Sequence, residues 1–201
     1  MFRRPPLLSV LFFAALALPA TATAGPLVAD APDCSAGAAS KVFLPWADPA
    51  DYVLLPGGAA ESGKGWSLTS GASVIQGSNP FAVTSATHRK ALRLAPGATA
   101  TSATACVGIE HPTLRFFTAS GFATGAVQVE VLFEDAAGDV QSIVVGGAIG
   151  AGWSPTVPMP IVANLLPLLP GEHTPVRFRF TSTGSDAITI DDVYVDPWMR
   201  G

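Results

Sequence analysis

Three histidines, a few carboxylate pairs and two cysteines are the side chains of this chain whose types could carry chemistry, and their spacing limits what they can do. His88, His111 and His173 stand in loop-like settings beside Arg89, Pro112 and Glu172. None belongs to an H-E-x-x-H pair, which would put two imidazoles on one helix face, and no G-x-S-x-G elbow presents a serine nucleophile. The glycine-rich stretch 146–152 lacks the Gly-Lys-Ser/Thr and the following helix of a phosphate loop, so it reads as a flexible turn. Glu130 and Glu134 share a strand face about 13 Å apart, whereas glycosidase carboxylates stand roughly 5 to 9.5 Å apart. Asp191 and Asp192 are adjacent, so a regular strand points them to opposite faces. The chain therefore reads as a protein that is not an enzyme.

Recognition is the other chemistry available. A sugar site needs exposed aromatic rings with polar neighbours for the hydroxyls. Trp46, Tyr52, Trp153 and Trp198 are the candidate rings. Trp153 and Trp198 stand beside Gly152 and Pro197 in loops, whereas Trp66 opens an alternating strand with Leu68 and belongs to the core. Arg115, Arg177 and Arg179 alternate with apolar residues and point outward. There they either line a face for an anionic ligand or pair with strand carboxylates such as Glu130.

Compartment narrows the ligand. Arg3 and Arg4, an apolar run over 7–18 and an A-x-A site at Ala22-Thr23-Ala24 give residues 1–24 the order of a secretory signal peptide. The run is shorter than the ~20 residues that span a bilayer. A secreted, extracellular location makes Cys34 and Cys106 an expected disulfide. Without residues 1–24, nine basic residues face 15 acidic ones, a balance of −6. Such a chain lacks the basic footprint of a nucleic-acid binder and gives no attraction to anionic lipid. The expected partner is an extracellular glycan or protein, with no nucleic acid and no membrane insertion after leader removal. Apolar residues at 49% and charged residues at 13% exclude a disordered chain.

The elements that must position these side chains are short strands. Twenty glycines and 18 prolines are spread too evenly for long helices. Period-two alternation puts Val127, Val129, Val131 and Phe133 on one face, and Val176, Phe178 and Phe180 against Arg177 and Arg179. Leu114 and Phe116 separate from Arg115 and Phe117, and Ile188, Ile190 and Tyr194 share a side. Further strands are predicted at 41–43, 52–55, 65–69, 73–76, 90–94, 100–107 and 140–145. Prolines across 153–171 make that stretch a crossing loop over one end of the sheets. The result is an all-β chain, an antiparallel β-sandwich of jelly-roll type. It has a leader at 1–24, an irregular arm at 25–40 and a single domain over 41–201.

Two distant segments carry a family resemblance. One is Gly57-Gly58-Ala59-Ala60-Glu61-Ser62-Gly63-Lys64-Gly65-Trp66; the other is Ile188-Thr189-Ile190-Asp191-Asp192-Val193. Together they resemble the glycine-rich opening turn and the closing strand of jelly-roll carbohydrate-binding modules of the galactose-binding-like fold. The resemblance covers roughly residues 42–196. It implies carbohydrate binding and a structural calcium (Ca2+) held by Glu61 and Asp191, with Asp192 as the alternative to Asp191. The family usually has Phe where Ala60 stands. Cys106-Val107, the segment His111–Phe117 and Asp192–Pro197 are also similar to predicted secreted bacterial proteins, which supports export but supplies no activity. An envelope-associated adhesion protein that binds protein partners is the alternative function.

Overall fold

The computed structural model describes residues 24–31, 34, 37–108, 112–162 and 173–196. The leader up to residue 23, His111, residues 163–172 of the crossing loop and Trp198 lie outside them. A one-turn helix, α1 (Pro26–Ala29), precedes thirteen strands. These are β1 (Val53–Leu54), β2 (Trp66–Leu68), β3 (Ala72–Gln76), β4 (Lys90–Leu94), β5 (Thr99–Ser102), β6 (Ala105–Val107), β7 (Thr113–Ser120), β8 (Gly125–Glu134), β9 (Val140–Gly150), β10 (Ser154–Pro155), β11 (Met159–Pro160), β12 (Thr174–Ser182) and β13 (Ile188–Asp196). Among the described residues no helix is long and apolar enough to cross a membrane.

Two antiparallel sheets stack face to face. One runs β10-β7-β13-β4-β3, with β1 added to β13 and β11 to β7; the other runs β2-β5-β12-β8-β9, with β6 added to β12. Alternation decides what lies between them. In β12, Val176, Phe178 and Phe180 are buried and face Phe133, Val131 and Val129 of β8 in register. From the opposing sheet, Leu92 and Leu94 of β4, Leu114 and Phe116 of β7, and Ile188 and Ile190 of β13 enter the same core. Each such side chain contributes about 1.5–3 kcal/mol by leaving water. The chain is thus an all-β antiparallel sandwich of jelly-roll type.

A second apolar layer covers part of the outer face of the β7–β13 sheet. Phe43, Tyr52, Phe117 and Tyr194 form its buried centre, and Trp46 and Trp153 pack at its edge. Phe43 stacks on Phe117 with centroids 5.5 Å apart and meets Tyr52 edge-on at 4.9 Å. The segment that supplies Phe43 and Trp46 is a 3₁₀ turn over Leu44–Trp46, not the strand expected at 41–43. Pro45 and the left-handed Ala47 (φ 60°) end any extended pairing there.

Three other expectations shift. The strand expected at 100–107 is two strands, β5 and β6, both paired to β12. Strand β9 continues through Gly146 and Gly147 to Gly150, so this stretch is an edge strand and not a turn. Glycine fits because a Cβ at Gly146 would strike Met159, and one at Gly147 would strike the Val127 carbonyl. Finally, β13 does not alternate throughout. Its pairing to β7 shifts between Asp191 and Tyr194, where Asp192 takes φ 46°. This bulge puts Val193 and Val195 in the inner core with Ile188 and Ile190, and sends Tyr194 to the outer layer.

Candidate functional site

The closing strand and the opening turn both act on one loop, residues 77–89 between β3 and β4. The bulge turns the carboxylates of Asp191 and Asp192 to the same side. Asn79 Nδ2 donates to Asp191 Oδ2 at 2.9 Å and to Asp192 Oδ2 at 2.7 Å, and the Asn79 backbone N–H donates to Asp191 Oδ2 at 2.8 Å. The Thr84 hydroxyl donates to Asp192 Oδ1 at 2.6 Å. At the far end of the loop, Glu61 Oε1 accepts the N–H groups of Arg89 and Lys90 at 2.6 and 2.7 Å. Burial raises the Glu61 carboxyl, but those two donors together with nearby positive charge hold it below its ordinary range. Burial pushes Asp191 up to about 7; the Asn79 N–H bond opposes this and the Asp192 charge adds to it. Gly57 and Gly65 close the opening turn with φ 76° and 86°, and Trp66 Nε1 donates to the Gly57 carbonyl at 2.7 Å.

These donors do not fit a calcium shell. Asn79 Oδ1 accepts the Phe81 N–H at 3.1 Å, which fixes the amide with its NH₂ toward the two aspartates. Calcium needs 6–8 oxygens around one point, and here an NH₂ group stands between the carboxylates. Among the described residues no three His, Cys, Asp or Glu side chains gather where a metal could be held. Glu61, Asp191 and Asp192 are placed as anchors of the 77–89 loop.

Two of the expected ligand-binding side chains are buried. Arg115 does not point to solvent: the aromatic layer covers it, and its side chain is 6% exposed. Its guanidinium lies 4.2 Å over the Phe43 ring, donates to Asp48 Oδ2 at 2.6 Å and to the Thr156 carbonyl at 2.8 Å. Tyr52 is 1% exposed, and its hydroxyl donates to Asp48 at 2.8 Å. Burial, with the Asp48 charge, pushes that hydroxyl up to about 12. Trp46 packs edge-on to Phe81 and Phe117 at 5.0 and 5.4 Å. Arg177 and Arg179 do alternate outward on β12, but both are engaged. Arg179 forms a two-pronged bond to Glu130, 2.7 Å on each prong, and Arg177 pairs with Asp30 at 2.7 Å. Cys34 and Cys106 are joined in a disulfide with Cα atoms 5.6 Å apart.

Among the described residues, Trp153 is the predicted ring that reaches an open hollow. The uncovered half of the outer β7–β13–β4–β3 face forms its floor, in a volume of about 410 Å³. Across that floor Arg93, Thr189 and Ala119 stand opposite one another on three adjacent strands, with Ser73 paired to Arg93 on β3 beyond. Trp153 and Phe122 border it, the latter 70% exposed, with Gln76 and Asp186 also lining it. Asp186 is the one carboxylate among the described lining residues, and it accepts the Thr124 hydroxyl. The sequence reading missed Arg93 and Phe122. Arg93 stands between the buried Leu92 and Leu94, which marks it as outward. Phe122 follows Gly121 in a turn, which marks it as an exposed ring.

The two stacked antiparallel sheets define a fold class, the jelly-roll β-sandwich. No family of proteins matches the chain by sequence, and no curated protein matches it. Among solved structures, the chain is similar to the C-terminal CBM6 of LamC, a marine laminarinase from Zobellia galactanivorans. The TM-score is 0.47 and the identity 10%, over 72% of this chain and 98% of that one. It is also similar to the N-terminal CBM22 tandem domain from Paenibacillus barcinonensis, with TM-score 0.48, 14% identity, and coverage of 73% and 44%. A third is the enzymatically active domain of a bacteriophage CBA120 tailspike protein, with TM-score 0.45, 18% identity, and coverage of 70% and 21%. Likeness of this degree concerns fold and leaves ligand and activity to the site itself.

Proposed function

We propose that this chain is a secreted, non-catalytic module that binds an extracellular carbohydrate in the hollow beside Trp153. The observation that carries this is the pairing of two aromatic rings with a polar sheet floor. Trp153 and the exposed Phe122 offer apolar faces for sugar C–H groups, and Thr189, Ser120 and Gln76 offer partners for hydroxyls. The hollow lies within the roughly 300–1,000 Å³ usual for small-ligand sites. A single carboxylate gives no acid–base pair for glycoside cleavage. The Cys34–Cys106 disulfide supports export, since such bonds persist in oxidising compartments.

The test is affinity electrophoresis through gels containing soluble polysaccharides, comparing the wild type with Trp153→Ala. At least one polysaccharide should retard the wild type, and the variant should lose about tenfold or more in affinity. Equal retardation of both proteins would count against this hollow as the site. A second reading, a protein partner, draws on edge strand β9, where Val144 and Ile149 are 55% and 68% exposed. It gains if every polysaccharide is silent and Val144→Lys abolishes attachment to whole cells.

A further inference from the structure

We infer that the hollow selects a sugar carrying an anionic group, a carboxylate or a sulfate, and that Arg93 reads that group. The inference rests on the proposed sugar-binding reading of the same hollow and adds the ligand class.

The other described arginines all have partners. Arg115 binds Asp48, Arg177 binds Asp30 and Arg179 binds Glu130. Arg89 Nη1 donates to the carbonyls of Ala86 and His88. Arg93 alone has neither an ion pair nor a side-chain hydrogen bond to any described residue, and it is exposed. Its place is the floor of the hollow, not the rim of the molecule. In register it stands between Ser73 on β3 and Thr189 on β13, with Ala119 beyond on β7. These neighbours are small, so the guanidinium is the tall group on an otherwise low floor. Strand spacing puts Ala119 about 10 Å from Arg93, room for a sugar ring between the arginine and the Trp153 wall.

A protein with formal charge −4 gains nothing at long range from an anionic polymer, so selectivity must be local. A guanidinium supplies it, because its planar fork matches a carboxylate or a sulfate with two parallel N–H bonds. A neutral sugar leaves that fork to water. Asp186, in the same lining, accepts from hydroxyls and disfavours an anion placed at its own end. The anionic substituent is therefore oriented toward Arg93.

The experiment uses the full mature chain and paired oligosaccharide probes. One arm sets glucuronate, galacturonate and mannuronate oligomers against their methyl esters, which keep the ring and remove the charge. The other sets sulfated galactan oligomers against desulfated ones. Isothermal titration is run on the wild type, Arg93→Gln, Arg93→Lys and Trp153→Ala. The expected result is that one charged probe binds at least about tenfold more tightly than its neutral twin. Arg93→Gln should erase that preference, and Arg93→Lys should restore only part of it. The exposed position leaves the melting midpoint of each Arg93 variant unchanged. Neutral probes binding as well as charged ones, with Arg93→Gln indifferent, overturns this inference and leaves the sugar reading intact if Trp153→Ala abolishes binding. Silence of every probe overturns both.

Discussion

Asp191 and Asp192, neighbours in the last strand, present their carboxylates to the same side-chain amide of Asn79. A regular strand cannot do this. The left-handed turn of Asp192 breaks the alternation and brings two anions onto one donor. Because the Asn79 NH₂ group donates to both carboxylates, a chelator should leave the melting midpoint unchanged. Asn79→Ala should lower stability by about 2 kcal/mol, since two buried carboxylates then each lose one donor, while Asp191 keeps the backbone N–H of position 79 and Asp192 the Thr84 hydroxyl. A midpoint that rises with added calcium and falls with chelator would contradict this arrangement.

The buried cluster under the aromatic layer sets a pH limit. Burial raises the Asp48 carboxyl, but the Tyr52 hydroxyl, the Ala50 N–H and Arg115 together bring it below its ordinary value of 3.8. A carboxyl depressed in the folded state stabilises fully above the unfolded value, and that stabilisation is lost as pH falls through the folded value. Asp48→Asn should therefore be less stable than the wild type at pH 7, by about 3 kcal/mol for a nearly buried pair left with one charge. As pH falls through the depressed folded value the gap should close, because the wild-type carboxyl is then protonated as well. Urea midpoints at pH 7, 5 and 2.5 measure this; a constant gap counts against the pair.

The same cluster shows how far sequence reading reaches. Alternation in 127–133 and 176–180 places Val129 and Phe178 in the core without reference to any other segment, because each strand contacts a partner of the same period. It also separates Leu114 and Phe116 from Arg115 and Phe117. It does not tell whether the second face meets water or another layer. Arg115 reads as exposed until Phe43 and Tyr52, more than sixty positions earlier, close over it. Tyr194 is misplaced for a different reason: one bulge reverses every later side chain, and nothing in Ile-Asp-Asp-Val-Tyr announces it. Trp153 is legible because Gly152 and Pro155 keep it out of a regular core strand. Arg93 is not, because its significance is the absence of a partner.

Trp46 separates binding from packing. Its type and setting suit a sugar-stacking ring, but it lies against Phe43, Phe81 and Phe117. Trp46→Ala should cost about 2–4 kcal/mol, somewhat below a fully buried tryptophan, while polysaccharide affinity per folded molecule stays within about twofold. Thermal melting together with affinity electrophoresis distinguishes it from Trp153→Ala, for which polysaccharide affinity per folded molecule should fall.

The disulfide holds the N-terminal arm to the body across a separation of 72 residues. The arm also docks through Leu27, buried near β8 with its N–H donated to Glu134, and through Asp30 on Arg177. Loop-closure entropy gives such a bond about 4 kcal/mol, less if the reduced chain keeps some structure. The Cys34→Ser, Cys106→Ser double variant should therefore unfold at lower urea. The Asp30–Arg177 pair is too exposed to hold the arm alone, so limited proteolysis should cut first within residues 24–40. The sandwich core of Val129, Phe178 and Ile190 is formed by strands β8, β12 and β13, whose pairing does not require the bond, so the variant should keep its cooperative transition. A variant that loses the sigmoidal transition would show that the arm belongs to the folding core, contrary to its peripheral packing on β8 and β12.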